Sequence, residues 1–163
     1  MTQGDPHFVR VTVSGMARDA RDNPVVLLKS SEGEEVLPIW IGQAEGIAID
    51  LTMKGEKFER PLTHDLLRAI IEGLGAAVTK VAITELRNNT FFAKVTLRRG
   101  ADVLVVDARP SDSVALALKC DAPIFVARDV FSTHKRALDT EGSGSDADDD
   151  LRRYLKDLDP GDF

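Results

Sequence analysis

An apolar run that passes directly into a helix constrains the fold of this chain more than any other stretch. Residues 103–106 are apolar and mostly β-branched, and the run between Asp102 and Asp107 is too short for a helix. Pro110 has no backbone donor and therefore suits a first helical turn, where side-chain oxygens of residues 111–113 can accept bonds from free amides. The pattern predicts a short buried strand followed at once by a helix.

Charged side chains cluster at this strand-to-helix junction. Arg109 lies between Asp107 and Asp112, and the free amides and dipole of a helix start favour an anion nearby. A second Arg-Pro pair, Arg60-Pro61, stands where another helix is predicted to begin. The junction is therefore a candidate site. A simpler interpretation is that Asp112 caps the helix while Arg109 pairs with Asp107.

Length and composition narrow the class of protein. A chain of 163 residues with 43% hydrophobic residues fits one domain, and no apolar run approaches the length that crosses a membrane. The first residues lack the basic and apolar segments of a signal peptide, and Cys120 is the only cysteine, which excludes an internal disulfide and a cysteine-based zinc site. We therefore expect a cytoplasmic protein without membrane association.

The negative charge is concentrated towards the C-terminus. Residues 1–131 contain 16 Lys and Arg against 18 Asp and Glu, whereas residues 132–163 contain 5 against 9. We interpret residues 1–131 as the folded domain, 132–150 as an acidic flexible linker and 151–163 as a short amphipathic C-terminal helix or tail, which is a candidate site for a protein partner. A near-neutral domain does not hold nucleic acid by bulk charge, so binding RNA or DNA requires a local cationic site.

Alternating residues predict an antiparallel meander in the first part of the chain. Its strands cover residues 8–14, 24–29 and 35–41, and Pro38 places the third strand at an edge or a bulge. A helix within residues 42–53 follows, with one apolar face made of residues 44, 47, 48 and 51. The next helix is predicted to have Thr63 as its N-cap and an apolar stripe made of Leu66, Leu67, Ile70, Ile71 and Leu74.

A second meander is predicted from strands at residues 76–87, 91–98 and 101–107, joined by turns at Asn88-Asn89 and Arg99-Gly100. The helix that begins at Pro110, a strand at 124–126 and a helical piece at 128–131 complete the domain. The predicted class is α/β, more narrowly α+β. It has a mixed, largely antiparallel sheet with flanking helices in a single compact domain, plus the short C-terminal helix.

Four motifs in sequence order resemble those of the bifunctional nuclease family, formerly described as a domain of unknown function. They are Leu37-Pro-Ile-Trp-Ile-Gly42, Arg60-Pro-Leu-Thr-His-Asp-Leu-Leu67, the stretch from Leu86 through Thr90-Phe-Phe-Ala93, and Asp107-Ala-Arg-Pro-Ser-Asp112 with its helix. The resemblance covers roughly residues 8–131. It implies a small α/β protein with a mixed or antiparallel sheet, assembled as an oligomer. Plant members, for which cleavage of RNA and DNA is reported, imply nuclease activity.

The sequence departs from the family pattern at two places. Arg87-Asn88-Asn89 stands where the family commonly has an Asp-Gly turn, a change that asparagine tolerates because it also adopts the left-handed conformation. Many relatives carry an interaction motif after this domain, whereas this chain has the acidic segment and the predicted short helix.

Phosphodiester hydrolysis needs an activated water, charge stabilisation on the phosphate and help for the leaving group. The candidate catalytic residues are Arg60, His64, Asp65, Arg109 and Asp112. The histidine is a candidate acid or base, and the arginines are candidate phosphate clamps. Asp107 and Asp112 are the candidate ligands of a divalent cation such as magnesium. Glu45 and Asp50 are further acids that could face the same cleft.

The same residues are compatible with two other classes of function. One is a non-catalytic regulatory module that binds an anion or a partner; the other is a structural oligomer whose Arg–Asp pairs fix the helix starts. In the regulatory module the same charged residues hold the anion, whereas in the structural oligomer they serve only as scaffold, with His64 and Asp65 at the start of their helix. We expect a homo-oligomer, with a dimer as the first choice. The Trp40 region and Phe91-Phe92 are the candidate contacts between subunits.

Overall fold

In a computed structural model of the chain, the described residues are 5–137. They form eight strands and four helices. In chain order these are β1 (Phe8–Arg18), β2 (Pro24–Ser30), β3 (Glu35–Trp40), α1 (Gln43–Met53), α2 (Thr63–Gly73), β4 (Ala77–Arg87), β5 (Thr90–Arg99), β6 (Asp102–Ala108), α3 (Pro110–Cys120), β7 (Ile124–Ala127), α4 (Arg128–His134) and β8 (Arg136–Ala137).

All eight strands join in one sheet with the order β6-β5-β4-β7-β1-β2-β3-β8. Every neighbouring pair is antiparallel except β4 and β7, which run parallel. The two predicted meanders, β1-β2-β3 and β4-β5-β6, are therefore present, and β7 joins them. This architecture confirms the predicted α+β class with its mixed, largely antiparallel sheet.

The core lies between the sheet and the helix layer, and α3 is its most deeply buried helix. Residues 113–117 of α3 are all buried, and the alanines among them let the helix approach its neighbours closely. α3 contacts α1, α2, β4 and β5. The sheet contributes fully buried side chains such as Leu28, Leu37 and Ile83 to the same cluster. α3 is thus fixed against two helices and the sheet.

Two turns follow the sequence prediction closely. Asn88 and Asn89 form the β4–β5 turn, and both adopt the left-handed conformation with φ of 51° and 57°. Such a two-residue turn matches the twist of an antiparallel hairpin, and asparagine accepts this conformation with little strain. Gly100 takes φ of 59° in the β5–β6 turn.

Pro38 lies on β3 beyond Glu35 and Val36, the residues paired with β8, so its predicted edge position is confirmed.

Apolar periodicity predicted the wrong burial for β6 and α2. Residues 103–106 of β6 are between 41% and 59% exposed, because β6 is the edge strand of the sheet. Four members of the predicted α2 stripe are also exposed, namely Leu66, Leu67, Ile70 and Leu74. The buried positions of α2 are His64 and Ile71. Leu74 meets Val103 and Leu104 of β6 in one groove at this end of the sheet.

The buried face of α1 also differs from the prediction. Gly46 and Ile49 are buried, whereas Ile47, on the predicted apolar face, is 56% exposed. Gly46 lies against Pro24 at the start of β2, where an added Cβ would come within 2.9 Å of the proline ring. A glycine rather than a large apolar residue therefore sets the distance of this helix from the sheet.

The C-terminal boundary lies further along the chain than the predicted end of the domain. Residues 132–134 belong to α4, and residues 136–137 form β8 on the edge of β3. The remainder of the predicted linker, residues 138–150, and the predicted helix at 151–163 lie outside the described residues. Within residues 5–137, no helix has the length and apolarity needed to cross a bilayer.

Gly46→Ala is expected to lower the free energy of unfolding by about 1–3 kcal/mol, because the new methyl group collides with the rigid ring of Pro24. The matched control is Gly73→Ala, at the end of α2, where an added Cβ has no neighbour within 4 Å. That control is expected to leave stability unchanged or to raise it by about 0.4–1 kcal/mol. Urea unfolding followed by circular dichroism measures both; equal effects would contradict the proposed contact.

Candidate functional site at three helix starts

A chain of charged hydrogen bonds links three helices at their N-terminal ends. Arg109 donates from Nη1 to Glu45 Oε1 at 2.9 Å and from Nε to Asp112 Oδ2 at 2.8 Å. The other oxygen of Asp112, Oδ1, lies 3.1 Å from His64 Nε2. These four side chains come from α1, α2, the residue before α3, and α3 itself. We call them the helix-start cluster.

The local sequence explains why the helix-start cluster forms where it does. Glu45 and Asp112 each occupy the third position of their helix, and His64 occupies the second position of α2. The partial positive charge of a helix N-terminus stabilises a carboxylate in the first turn. Pro110 starts α3 directly after β6 and leaves Arg109 in an extended conformation, from which its side chain reaches α1. Arg109 thus joins the first turns of α1 and α3, and Asp112 joins the first turn of α2 through His64.

Asp112 has a lowered pKa. Partial burial alone would raise the pKa of this carboxyl, yet the hydrogen bonds from Arg109 and His64 outweigh that effect. The same two bonds show that Asp112 does not cap its own helix, since neither carboxylate oxygen bonds to an α3 amide. The bond made by Ser113 runs the other way, from Oγ to the carbonyl oxygen of Arg109 at 2.9 Å. The predicted capping roles of residues 111–113 are therefore wrong.

Asp65 belongs to a separate pair. Its Oδ1 lies 2.8 Å from Lys119 Nζ near the end of α3, and its Oδ2 accepts the backbone amide of Leu62 at 3.0 Å. The lysine bond is the main reason that the pKa of Asp65 is lowered. Asp65 thus supplies the bond at the start of α2 that the sequence assigned to Thr63, which is instead the first residue inside the helix. Its place is structural: it ties α2 to α3.

Three other predicted residues lie outside the helix-start cluster. Asp107 pairs with Lys94 across the β5–β6 ladder at 3.0 Å, so the predicted Arg109–Asp107 pair is wrong. Asp50 pairs with Lys54 at 2.6 Å along α1. Arg60 is exposed in the connector before α2 and makes no hydrogen bond or ion pair with any described residue. The structure therefore brings together His64, Arg109 and Asp112, with Glu45 as the fourth member.

The donor set at the cluster does not fit the predicted magnesium site. Asp107 and Asp112 have different partners, Lys94 and the Arg109–His64 pair. Within residues 5–137, no group of three or more His, Cys, Asp or Glu side chains is arranged to hold a metal ion. A guanidinium group already lies between the carboxylates of Glu45 and Asp112. The metal prediction thus receives no support from the geometry.

A cleft of about 340 Å³ opens beside Arg109. Segments from three of the sequence motifs line it, namely residues 39–42, residues 89–91 and residues 109–111. Trp40 and Phe91 contribute half-buried aromatic rings, and Thr90 adds a hydroxyl group. At Gly42 any Cβ would collide with the Glu45 carboxylate, so glycine is the residue that allows Glu45 to reach Arg109.

The sequence did not predict this cleft. Trp40 and Phe91 were expected at oligomer contacts, and Asn88-Asn89 was interpreted only as a hairpin turn. Trp40 does make a structural bond, from Nε1 to Asp19 Oδ2 at 3.0 Å, and packs beside Val25 and Leu27. The cleft forms because three motifs that are distant in sequence meet at one surface of the folded domain. The spacing of the motifs along the chain does not show that they meet.

Comparisons with known proteins place the chain in a family. A family model described as the bifunctional nuclease domain matches residues 26–139, so the chain belongs to the bifunctional nuclease domain family. An uncharacterised protein of Mycobacterium tuberculosis is 39% identical over 150 residues, which cover 88% of this chain and 90% of the relative. The family model therefore identifies the same family as the motifs.

Plant relatives are more distant and longer. Bifunctional nuclease 1 of Oryza sativa subsp. japonica is 25% identical over 130 residues, which cover 77% of this chain and 38% of the rice protein. Bifunctional nuclease 1 of Arabidopsis thaliana is 25% identical over 116 residues, which cover 69% of this chain and 36% of the relative. The shared part is therefore the domain, and the plant proteins continue well beyond it.

Asp112→Asn is expected to lower the free energy of unfolding by about 1 kcal/mol near neutral pH, a value discounted because a third of the side chain is exposed. A lowered pKa means that the ionised carboxylate stabilises the fold above its ordinary pKa of 3.8, and that this contribution is lost as pH falls through the lowered value. The difference between wild type and variant should therefore be constant at mildly acidic pH and close below about pH 4.

Asp107→Asn is the matched control for that measurement. Its partner Lys94 is also a cation, but the Asp107 carboxylate is 68% exposed, so the change should stay within about 0.5 kcal/mol. Urea unfolding at a series of pH values measures both variants. A pH-independent difference for Asp112→Asn would contradict the assigned ion pairs.

Proposed function

We propose that this protein is a nuclease that hydrolyses phosphodiester bonds of RNA or DNA at the cleft beside Arg109. The observation that carries the proposal is the hydrogen-bonded cluster of His64, Asp112 and Arg109, whose arginine also lines a cleft formed by three motifs. The family and the names of the plant relatives, which are called bifunctional nucleases, support the same class of activity.

Arg109 is the proposed phosphate ligand. Its Nε and Nη1 are held by carboxylates, whereas its Nη2 has no hydrogen-bond partner among residues 5–137. The side chain is 64% exposed and belongs to the lining of the cleft. A guanidinium fixed on one side by two acids presents its remaining N–H donors in a set direction, which suits a phosphate oxygen. Glu45 and Asp112 thus act as positioning residues for Arg109.

His64 is the proposed acid or base. Asp112 binds Nε2 and thereby orients the ring, which leaves the second ring nitrogen for proton transfer. In the proposed reaction this nitrogen takes the proton of the attacking oxygen as its bond to phosphorus forms. The bond from phosphorus to the leaving oxygen breaks, and that oxygen receives a proton from the histidine or from solvent. Arg109 stabilises the charge that develops on the phosphate.

The matching of charges in the cluster favours a second candidate, a structural role. Arg109 has two carboxylate partners and Lys119 has Asp65, so the two cations that link these helices are already paired with acids. A lattice of this kind can fix three helices without binding any ligand. The two candidates differ in what a conservative substitution removes: activity in the first, stability alone in the second.

Arg109→Lys and His64→Gln are expected to lower the cleavage of labelled single-stranded RNA and DNA by about 10²–10³-fold, because one removes the planar donors and the other the titrating ring. The matched control is Arg128→Lys, whose guanidinium pairs with Glu32 at 2.9 Å in another part of the fold. That control should cut like wild type. Circular dichroism first establishes that each variant is folded.

The other outcomes also decide. Equal cleavage by all proteins would assign the activity to a contaminant, and no cleavage by wild type, with reduced thermal stability of Arg109→Lys, would favour the structural role. A parallel series with a chelator reports whether cleavage depends on a divalent cation. Loss of cleavage with chelator would mean that a metal ion binds together with the substrate, or that residues other than Asp107 and Asp112 hold it.

A further inference from the structure

The sheet ends at β6 in a long apolar strand that has a neighbour on one side only. β6 pairs with β5 along all seven of its residues, and no described strand pairs with its other side. Residues 103–106 are exposed although they are valine or leucine. Soluble monomers protect such an edge with lysine, proline, a bulge or a covering element, because its free amides and carbonyls invite another strand. None of these devices is present among residues 103–106.

An apolar groove of about 400 Å³ continues this edge on the helix side of the sheet. Its lining includes Ile71 of α2, Leu74 directly after that helix, Leu97 of β5 and Leu104 of β6. Next to the groove, the α2 stripe adds further exposed leucine and isoleucine side chains. Trp40 and Phe91-Phe92, the oligomer contacts predicted from sequence, are half-buried instead. Most of the exposed large apolar side chains among the described residues lie on or next to β6 and α2.

The β5–β6 turn fixes which residues of β6 point their backbone groups outward. Arg99 pairs with Asp102 across a two-residue turn, so this closing pair exchanges hydrogen bonds, and so does every second pair after it. Leu104 and Val106 therefore bond to β5. Val103, Val105 and Asp107 direct their amides and carbonyls away from the sheet, where a further strand would bind.

We propose that two copies of this chain pair through β6 in antiparallel orientation, about a two-fold axis at Val105. In this register Val105 faces Val105 of the partner subunit, and Val103 faces Asp107 of the partner subunit. All outward backbone groups of the central strand are then satisfied, and Leu104 packs beside Val106 of the partner subunit on the helix side. The two eight-stranded sheets become one continuous sheet.

Two observations favour a second copy over other occupants of the β6 edge. The opposite end of the sheet offers only the two-residue β8, which is too short to satisfy a seven-residue edge in a head-to-tail arrangement. The remaining part of this chain, residues 138–163, leaves from β8, about 34 Å away across the strands. Its apolar residues 151, 154, 155 and 158 have helical spacing, which does not provide a strand for the edge. A two-fold interface needs only the self-complementary β6.

The first test is the molar mass of the full-length chain by light scattering after gel filtration. Wild type should have about twice the chain mass of 17.8 kDa, and Val105→Lys should have the single-chain mass, because two like charges then meet on the axis. Val105→Glu should behave in the same way. An equimolar mixture of these two variants should recover the double mass, since opposite charges now face each other.

The matched control is Ile47→Lys on α1, which changes an apolar residue of the same 56% exposure as Val105. This control should retain the double mass. A wild type of single-chain mass, or a dimer that survives both Val105 substitutions, would overturn the proposal. Circular dichroism of each variant separates loss of pairing from loss of folding, and recovery by mixing is possible only for folded chains.

The register is tested by cysteine cross-linking in a Cys120→Ser background. Facing residues on paired strands have Cα atoms about 5.5 Å apart, within the range that a disulfide spans. Val105→Cys should therefore cross-link two chains under mild oxidation, whereas Val103→Cys should not, because its counterpart is Asp107 of the partner subunit. Cross-linking at position 103 in preference to 105 would contradict the axis at Val105.

Discussion

The packing of α3 against the sheet is the constraint on which the rest of this structure depends. Val114, Ala115, Leu116 and Ala117 are buried, and the helix contacts α1, α2, β4 and β5 at once. Because alanine occupies two of these positions, the helix axis lies close to its neighbours, and its first turn cannot move independently. Arg109 and Asp112 inherit this fixed position. The helix-start cluster is therefore a consequence of core packing rather than of a flexible loop.

The sequence was informative where local chemistry decides the structure. Asn88-Asn89 predicted a hairpin turn because few residues accept the left-handed conformation, and Pro110 predicted a helix start because the missing donor is harmless there. The strands followed from alternation, and their antiparallel order followed from the short turns. The order of strands around β7 did not, since its parallel contact with β4 depends on residues far apart in the chain.

Burial and side-chain partners were harder to predict. Apolar periodicity in β6 and α2 identified apolar faces but not the elements that cover them. The prediction therefore buried side chains of β6 and α2 that are exposed in the structure. The partners of Asp112 lie on α2 and before α3, and Glu45 reaches Arg109 from α1 in a position for which Gly42 leaves room. The residues neighbouring each position in sequence do not reveal such contacts. Ion pairs between side chains on different helices can be assigned only from the tertiary structure.

The position of β7 has a consequence for how the chain folds. The two meanders consist of contacts between neighbouring strands, whereas β7 pairs Val9 with Val126 and Val81 with Ile124, which are distant in sequence. Local pairings close short loops and form early, while distant pairings carry the larger entropic cost of loop closure. Until β7 is inserted, β1 and β4 are edge strands, each with one unpaired side. During synthesis β7 can therefore join the two halves of the sheet only once residue 127 is available.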